Sequence, residues 1–149
     1  MRILIDADGC PVVDNTIKIA EELNTEVIIL CDTSHVFNKE NVKTITVSKG
    51  ADSVDFALVN MVQNGDIVVT QDYGLAAMCL ARNAIPISQD GMVYNNDNID
   101  ALLLARHNAK KIRNSPRRSG ISTRLKGNSK RVLSQDVQFE EMLKKLIKG

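Results

Sequence analysis

Five aspartates stand at positions where their carboxylates could act together: Asp6, Asp8, Asp52, Asp55 and Asp72. Carboxylates within a few ångströms of one another repel and raise one another's pKa unless a cation compensates their charge. Mg²⁺ and Mn²⁺ bind oxygen ligands of this kind. A bound ion can activate water and stabilise phosphodiester oxygens during in-line attack. These residue types therefore indicate metal-dependent phosphoester hydrolysis, if the fold brings them together.

Two of these aspartates follow short buried strands. The apolar run Ile3-Leu4-Ile5 ends at Asp6-Ala7-Asp8, and Pro11 favours the first turn of a helix over residues 11–23. A second run, residues 67–70, ends at Gln71-Asp72 and precedes another helical pattern. Asp72 thus repeats the placement of Asp6 at the carboxyl end of a strand, where open α/β sheets bind their ligands.

Asp52 and Asp55 belong to the start of a helix that lies between these two strands in the chain. Asp52 is placed as its N-cap, and Asp55 falls in its first turn. Both positions stabilise a helix N-terminus without any further role. They also project two carboxylates from one end of one helix, so we expect them to join the other three.

Alternation of strand and helix patterns predicts an α/β fold with a mainly parallel sheet of about four to five strands flanked by helices. Further strands are predicted at residues 26–31, 43–47 and 85–88, and Pro86 makes the last of these an edge strand. A fourth helical pattern opens at Asp97 or at the following residue. At 149 residues and 44% hydrophobic content, the chain has the size of one domain, residues 1–149.

The near-neutral total charge of +1 hides an uneven distribution. Residues 1–105 carry 15 acidic and 6 basic residues, whereas residues 106–131 carry 10 basic residues and no acidic one. The pattern predicts a basic loop at about 114–133 before a C-terminal helix at about 134–148. The loop and the residues before it could bind backbone phosphates of RNA, through Lys110, Lys111, Arg113, Arg117, Arg118, Arg124, Lys126, Lys130 and Arg131. Equally, they could form a solvated charge run that neutralises the rest of the domain.

Other classes of protein fit the sequence poorly. The three cysteines are widely spaced and form no CxxC pair, which favours reduced thiols over a disulfide framework or a zinc site. No apolar run approaches about 18 residues, and no secretory leader pattern is present. We therefore expect no membrane span and a cytoplasmic location. The few scattered aromatic residues do not predict a base-stacking platform.

Three segments carry a resemblance to a known family: residues 6–12 (DADGCPV), residues 50–55 (GADSVD) and residues 65–72 (GDIVVTQD). They resemble the YaiI/YqxD family, bacterial proteins of unknown function related to PIN-like nuclease domains. The resemblance covers about residues 1–113. It implies a three-layer PIN-like fold and a Mg²⁺ or Mn²⁺ site on Asp6, Asp52 or Asp55, and Asp72.

We therefore predict a metal-dependent nuclease that acts on RNA, in which Asp8 orients water or the metal ligands, and Thr70 and Ser48 supply supporting hydrogen bonds. Two alternatives remain open. Asp6 and Asp8 also resemble the first motif of haloacid-dehalogenase-like phosphatases, as nucleophile and acid/base, although Cys10-Pro11 replaces the usual Thr-apolar pair. Alternatively, the protein is a non-catalytic nucleic-acid-binding or regulatory module that kept the fold.

Overall fold

The computed structural model describes residues 1–8, 10–33, 42–48, 53–113 and 132–149, with backbone alone at 106–113. The described residues form five strands and five helices. In chain order these are β1 (Arg2–Asp6), α1 (Val13–Glu22), β2 (Glu26–Asp32), β3 (Lys43–Val47), α2 (Ser53–Met61), β4 (Ile67–Val69), α3 (Tyr73–Ala81), β5 (Ile85–Ile87), α4 (Asn96–Arg113) and α5 (Leu133–Lys148).

The five strands form one parallel sheet in the order β3-β2-β1-β4-β5. The predicted α/β class and parallel sheet are therefore confirmed. Strand β5, which contains Pro86, lies at an edge, as the missing N–H of proline predicts. All five strands end at the same edge of the sheet, which we call the carboxyl edge.

The strand order reverses at β1. From β1 the chain builds outward through β2 and β3, then returns to pair β4 with the other side of β1 and continues outward to β5. In open α/β sheets such a reversal leaves a crevice beyond the carboxyl ends of the two central strands, where ligands bind. The ends of β1 and β4 are therefore the place where this topology favours a site.

Helices cover both faces of the sheet, which gives three layers. On one face, Ile3 and Ile5 of β1 pack in a core cluster with α1 and with Phe139 of α5. On the other face, Leu4 packs in a second cluster with α2 and α3. Helix α4 packs outside α3, where Ile99 belongs to a smaller cluster. No helix in the described part of the chain combines the length and apolar character needed to span a membrane.

Two helix starts differ from the sequence prediction. Helix α1 begins at Val13, and Pro11 lies in the turn before it. Helix α4 begins at Asn96 because Asn95 and Asn98 exchange hydrogen bonds between side chain and backbone N–H, each 2.8 Å long. Such a reciprocal pair satisfies backbone donors that the first turn leaves open.

The C-terminal helix α5 runs from Leu133 to Lys148, against a predicted range of about 134–148. Its residues Phe139 and Leu143 are fully buried against the sheet. Gly91, in the turn after β5, lies close beneath the same helix: a Cβ atom there would stand 2.7 Å from the Gln138 carbonyl oxygen.

Of the predicted basic loop, residues 114–131 lie outside the described residues.

Candidate functional site

Strand periodicity places Asp6 and Thr70 on the same face of the sheet. Side chains alternate between faces along a strand, so Asp6 shares the face of Leu4, and Thr70 shares the face of Val68. Ile5 pairs with Val69 in the parallel register. The next residues, Asp6 and Thr70, therefore meet at the carboxyl edge, on the side covered by α2 and α3.

Thr70 connects the two predicted aspartates through its hydroxyl group. Its Oγ1 donates to Asp6 Oδ2 at 2.9 Å and accepts from the Asp72 backbone N–H at 3.0 Å. Thr70 is 1% exposed, so this hydroxyl is held within the protein. We call Asp6, Thr70 and Asp72 the acidic site. Thr70 therefore makes a hydrogen bond to a predicted ligand, and its supporting role at a metal site stays a prediction.

Asp72 is fixed because it is the N-cap of α3. Its Oδ1 accepts from the backbone N–H groups of Gly74 at 2.8 Å and Leu75 at 3.2 Å. Among the described residues, these hydrogen bonds use one of its two carboxylate oxygens. A capping carboxylate is stabilised by the helix dipole, so its side chain is held in place while Oδ2 can serve another partner.

The environment of Asp6 opposes its negative charge. Burial raises its pKa most, the hydrogen bond from Thr70 lowers it, and the charges of Asp72 and Asp8 raise it, so that the pKa is about 6 instead of 3.8. A buried carboxyl group in like-charged surroundings is typical of sites that bind a cation or do acid–base chemistry. Asp8 itself is exposed at the rim of this site.

Asp55 of α2 faces the same region. The thiol of Cys79, which is fully buried on α3, has its pKa raised to about 12 by burial first and then by the charges of Asp55 and Asp6. Both carboxylates therefore lie within electrostatic reach of one sulfur atom. Asp55 of α2 and Asp6 of β1 thus both lie near the part of α3 that carries Cys79.

The remaining predicted ligand, Asp52, lies outside the described residues, as do the other residues from 49 to 51 that follow Ser48. In the described ranges, no group of three or more His, Cys, Asp and Glu side chains is arranged to hold a metal ion. Mg²⁺ commonly keeps several waters and uses one or two protein carboxylates. The carboxylate oxygens of Asp6 and Asp72 fit an ion bound in that way, because its positive charge would offset the repulsion that Asp6 experiences from Asp72 and Asp8.

The nine predicted phosphate-binding residues begin on α4 and continue into residues that the structure does not describe. Lys110, Lys111 and Arg113 belong to the last turns of α4, so this part of the basic segment is helical. Their side chains, and the six other basic residues predicted at 117–131, lie outside the described parts. Their role stays a prediction.

Sequence reasoning missed two polar residues. Tyr94 is buried and its hydroxyl donates to the Thr70 carbonyl oxygen at 3.3 Å. Burial raises its pKa to about 12. Asp66 lies at the opposite end of β4, where it pairs with Arg2 at 2.9 Å, and it therefore stabilises the fold. In the sequence, Tyr94 is a tyrosine in a loop and Asp66 is an aspartate before a strand. Neither pattern indicates which residue lies beside the acidic site and which one stabilises the fold.

A separate cavity of about 420 Å³ lies between the turn after β5 and α5. It is lined by Asp90, Gly91, Met92, Gln138, Glu141, Met142 and Lys145. None of the five predicted aspartates lines it. The acidic site is therefore distinct from this cavity.

Comparison with known proteins identifies the family. The family described as "Uncharacterized BCR, YaiI/YqxD family" matches residues 4–149. The chain belongs to the YaiI/YqxD family. The match extends the resemblance seen in residues 1–113 across the C-terminal part of the chain, and the α/β layers agree with the PIN-like fold expected for this family.

Relatives in the YaiI/YqxD family match over almost their whole length. A UPF0178 protein of Exiguobacterium sibiricum is 50% identical over 147 residues, which cover 99% of this chain and 96% of the relative. A UPF0178 protein of Clostridium acetobutylicum is 46% identical over 147 residues, which cover 99% of this chain and 97% of the relative. Neither the family description nor these names states an activity. No solved structure matches the chain.

Proposed function

We propose that this protein is a metal-dependent nuclease that hydrolyses phosphodiester bonds in RNA. The observation that carries the proposal is the Thr70 hydroxyl that joins Asp6 to the backbone of Asp72 at the crevice between β1 and β4. Two carboxylates close enough for the charge of Asp72 to raise the pKa of Asp6, which is about 6, are an arrangement that a divalent cation would stabilise.

Asp6 and Asp72 would hold Mg²⁺ or Mn²⁺, with Asp55 and Asp52 as further ligands. A bound ion of this type compensates phosphate charge and lowers the pKa of water. Thr70 orients the Asp6 carboxylate, and the helix cap orients that of Asp72. Asp8, at the exposed rim, orients the attacking water. Lys and Arg residues of 110–131 attract the RNA backbone, so binding weakens steeply as salt rises. We expect this activity in the cytoplasm.

The test is cleavage of a labelled single-stranded RNA by the purified protein in Mn²⁺, in Mg²⁺ and in EDTA. Asp6→Asn and Asp72→Asn are suitable variants because asparagine keeps an acceptor for Thr70 and remains a good N-cap. We expect metal-dependent cleavage that falls by at least about 100-fold in each variant. Asp100→Asn, which removes the same charge from an exposed position on α4, should leave cleavage unchanged.

Other outcomes would favour the alternatives. Hydrolysis of a small phosphomonoester without RNA cleavage would support the haloacid-dehalogenase-like interpretation, with Asp6 as the nucleophile. Salt-sensitive RNA binding without cleavage, unaffected by either substitution, would support a non-catalytic module. Both outcomes contradict the nuclease proposal.

A further inference from the structure

Tyr94 reaches the acidic site from a different part of the chain. It follows β5, where its backbone N–H donates to the Pro86 carbonyl oxygen at 2.9 Å, and Val93 forms an antiparallel bridge with Ile87. Tyr94 is 2% exposed. Its position is therefore fixed by the edge of the sheet, independently of the loop that carries Asp72.

The side chain of Tyr94 contacts the residues on both sides of that loop. Its hydroxyl donates to the Thr70 carbonyl oxygen at 3.3 Å. Its ring packs edge-to-face against Tyr73, with ring centroids 6.1 Å apart and an interplanar angle of 62°. Thr70 precedes Asp72 by two residues and Tyr73 follows it directly. Tyr94 thus holds the segment that carries Asp72 at two points.

Movement of Thr70 would disturb both aspartates at once, because its hydroxyl bonds to Asp6 and to the Asp72 backbone. A buried donor on the Thr70 carbonyl oxygen restricts that movement. Groups that orient metal-binding carboxylates through hydrogen bonds commonly contribute to metal affinity although they never touch the ion.

We propose that Tyr94 is a positioning residue that sets the relative placement of Asp6 and Asp72 through Thr70. This inference rests on the proposed metal-dependent function. Tyr94 contacts neither the ion nor the RNA, and its hydroxyl acts by keeping the two carboxylates at the separation that a divalent cation needs.

The experiment compares Tyr94→Phe with Tyr73→Phe in the full-length protein. The two variants each remove one hydroxyl from the same ring pair, but among the described residues only the Tyr94 hydroxyl bonds to Thr70. Mn²⁺ affinity is measured by calorimetry, and RNA cleavage is measured over a series of Mn²⁺ concentrations. Circular dichroism melts identify a temperature at which every variant is folded.

We expect Tyr94→Phe to weaken Mn²⁺ binding by about 3- to 10-fold, less than the about 10- to 100-fold expected for loss of a direct partner in Thr70→Val. Cleavage by Tyr94→Phe should be low at limiting Mn²⁺ and should return to within about twofold of wild type at saturating Mn²⁺. The KM for RNA should not change. Tyr73→Phe should match the wild-type protein.

Two results would overturn the inference alone: equal Mn²⁺ affinity in Tyr94→Phe and wild type, or a loss of cleavage that saturating Mn²⁺ does not restore. The second result would mean that the hydroxyl supports general structure rather than metal placement. A wild-type protein that neither binds Mn²⁺ nor cleaves RNA would instead overturn the proposed function, and the inference with it.

Discussion

Replacing Asp6 by asparagine should stabilise the metal-free protein at neutral pH. In the folded state the Asp6 carboxyl group is desolvated and lies near Asp72 and Asp8, which together raise its pKa to about 6 from 3.8. Asparagine has the same shape and keeps an oxygen that can accept the Thr70 hydroxyl hydrogen bond. The substitution therefore removes an unfavourable charge and retains the contact.

The magnitude follows from the pKa. The rise in the pKa of Asp6 from 3.8 to about 6 corresponds to at most about 3 kcal/mol of destabilisation of the folded protein with Asp6 ionised. Partial contact with solvent and the loss of one acceptor lone pair reduce this, so we expect a gain of about 1 to 3 kcal/mol in the free energy of unfolding. Most substitutions destabilise a protein by about 1 kcal/mol, so the expected sign is unusual.

The gain should depend on pH in a defined direction. Below about pH 3.8, Asp6 is protonated in both folded and unfolded states and contributes nothing to the pH dependence. Between about 3.8 and about 6 the unfolded chain releases this proton while the folded protein keeps it, so wild-type stability falls as pH rises. Above about 6 both states are ionised and the penalty is constant. The advantage of Asp6→Asn should therefore grow over this window and then level off.

Urea denaturation in EDTA, from pH 4.5 to pH 8, measures this difference. Asp100→Asn is the matched control because it removes one carboxylate from an exposed position, where surface substitutions change stability by at most about 0.5 kcal/mol. A variant Asp6→Asn that is less stable than wild type at pH 7.5, or a difference that does not vary with pH, would refute the reasoning.

Three further predictions concern the fold and are checked by urea denaturation. Gly91→Ala should lower the free energy of unfolding by about 3 kcal/mol or more, because its Cβ would lie 2.7 Å from a backbone oxygen of α5. Gly65→Ala, which has a similar positive φ but open space around it, should lower it by about 1 kcal/mol. Equal losses in the two variants would contradict this. Asp66→Ala should cost about 3 kcal/mol because it leaves Arg2 without its ion-pair partner; a near-neutral effect would show that water replaces the pair. Asn95→Ala should cost about 1 kcal/mol through loss of the α4 cap, and an unchanged midpoint would argue against that cap.

The sequence predicts the placement of Asp6 and Asp72 well because strand and helix signals coincide there. Short apolar runs ended by carboxylates identify β1 and β4, and parallel crossovers bring their ends to one edge. Proline likewise marks β5 as an edge strand. These features depend on local residue types, which the chain displays directly.

Other features depend on contacts between distant segments. Tyr94 acts on Thr70 across 24 residues, and Asp66 pairs with Arg2 across 64; no periodic pattern reports such pairings. The sequence pattern predicts that α4 begins at Asp97 or Asn98, whereas the helix begins at Asn96 because Asn95 and Asn98 cap it reciprocally. The strand order, which creates the crevice at β1, also comes from three-dimensional packing.

The central claim is that Asp6 and Asp72 act as one site, and a double-mutant cycle on Mn²⁺-dependent RNA cleavage tests it most directly. Residues that serve one catalytic unit show strongly non-additive losses. We predict that the double variant Asp6→Asn/Asp72→Asn cleaves RNA no more slowly than the slower single variant. Losses that multiply, or single variants as active as wild type, would contradict the account.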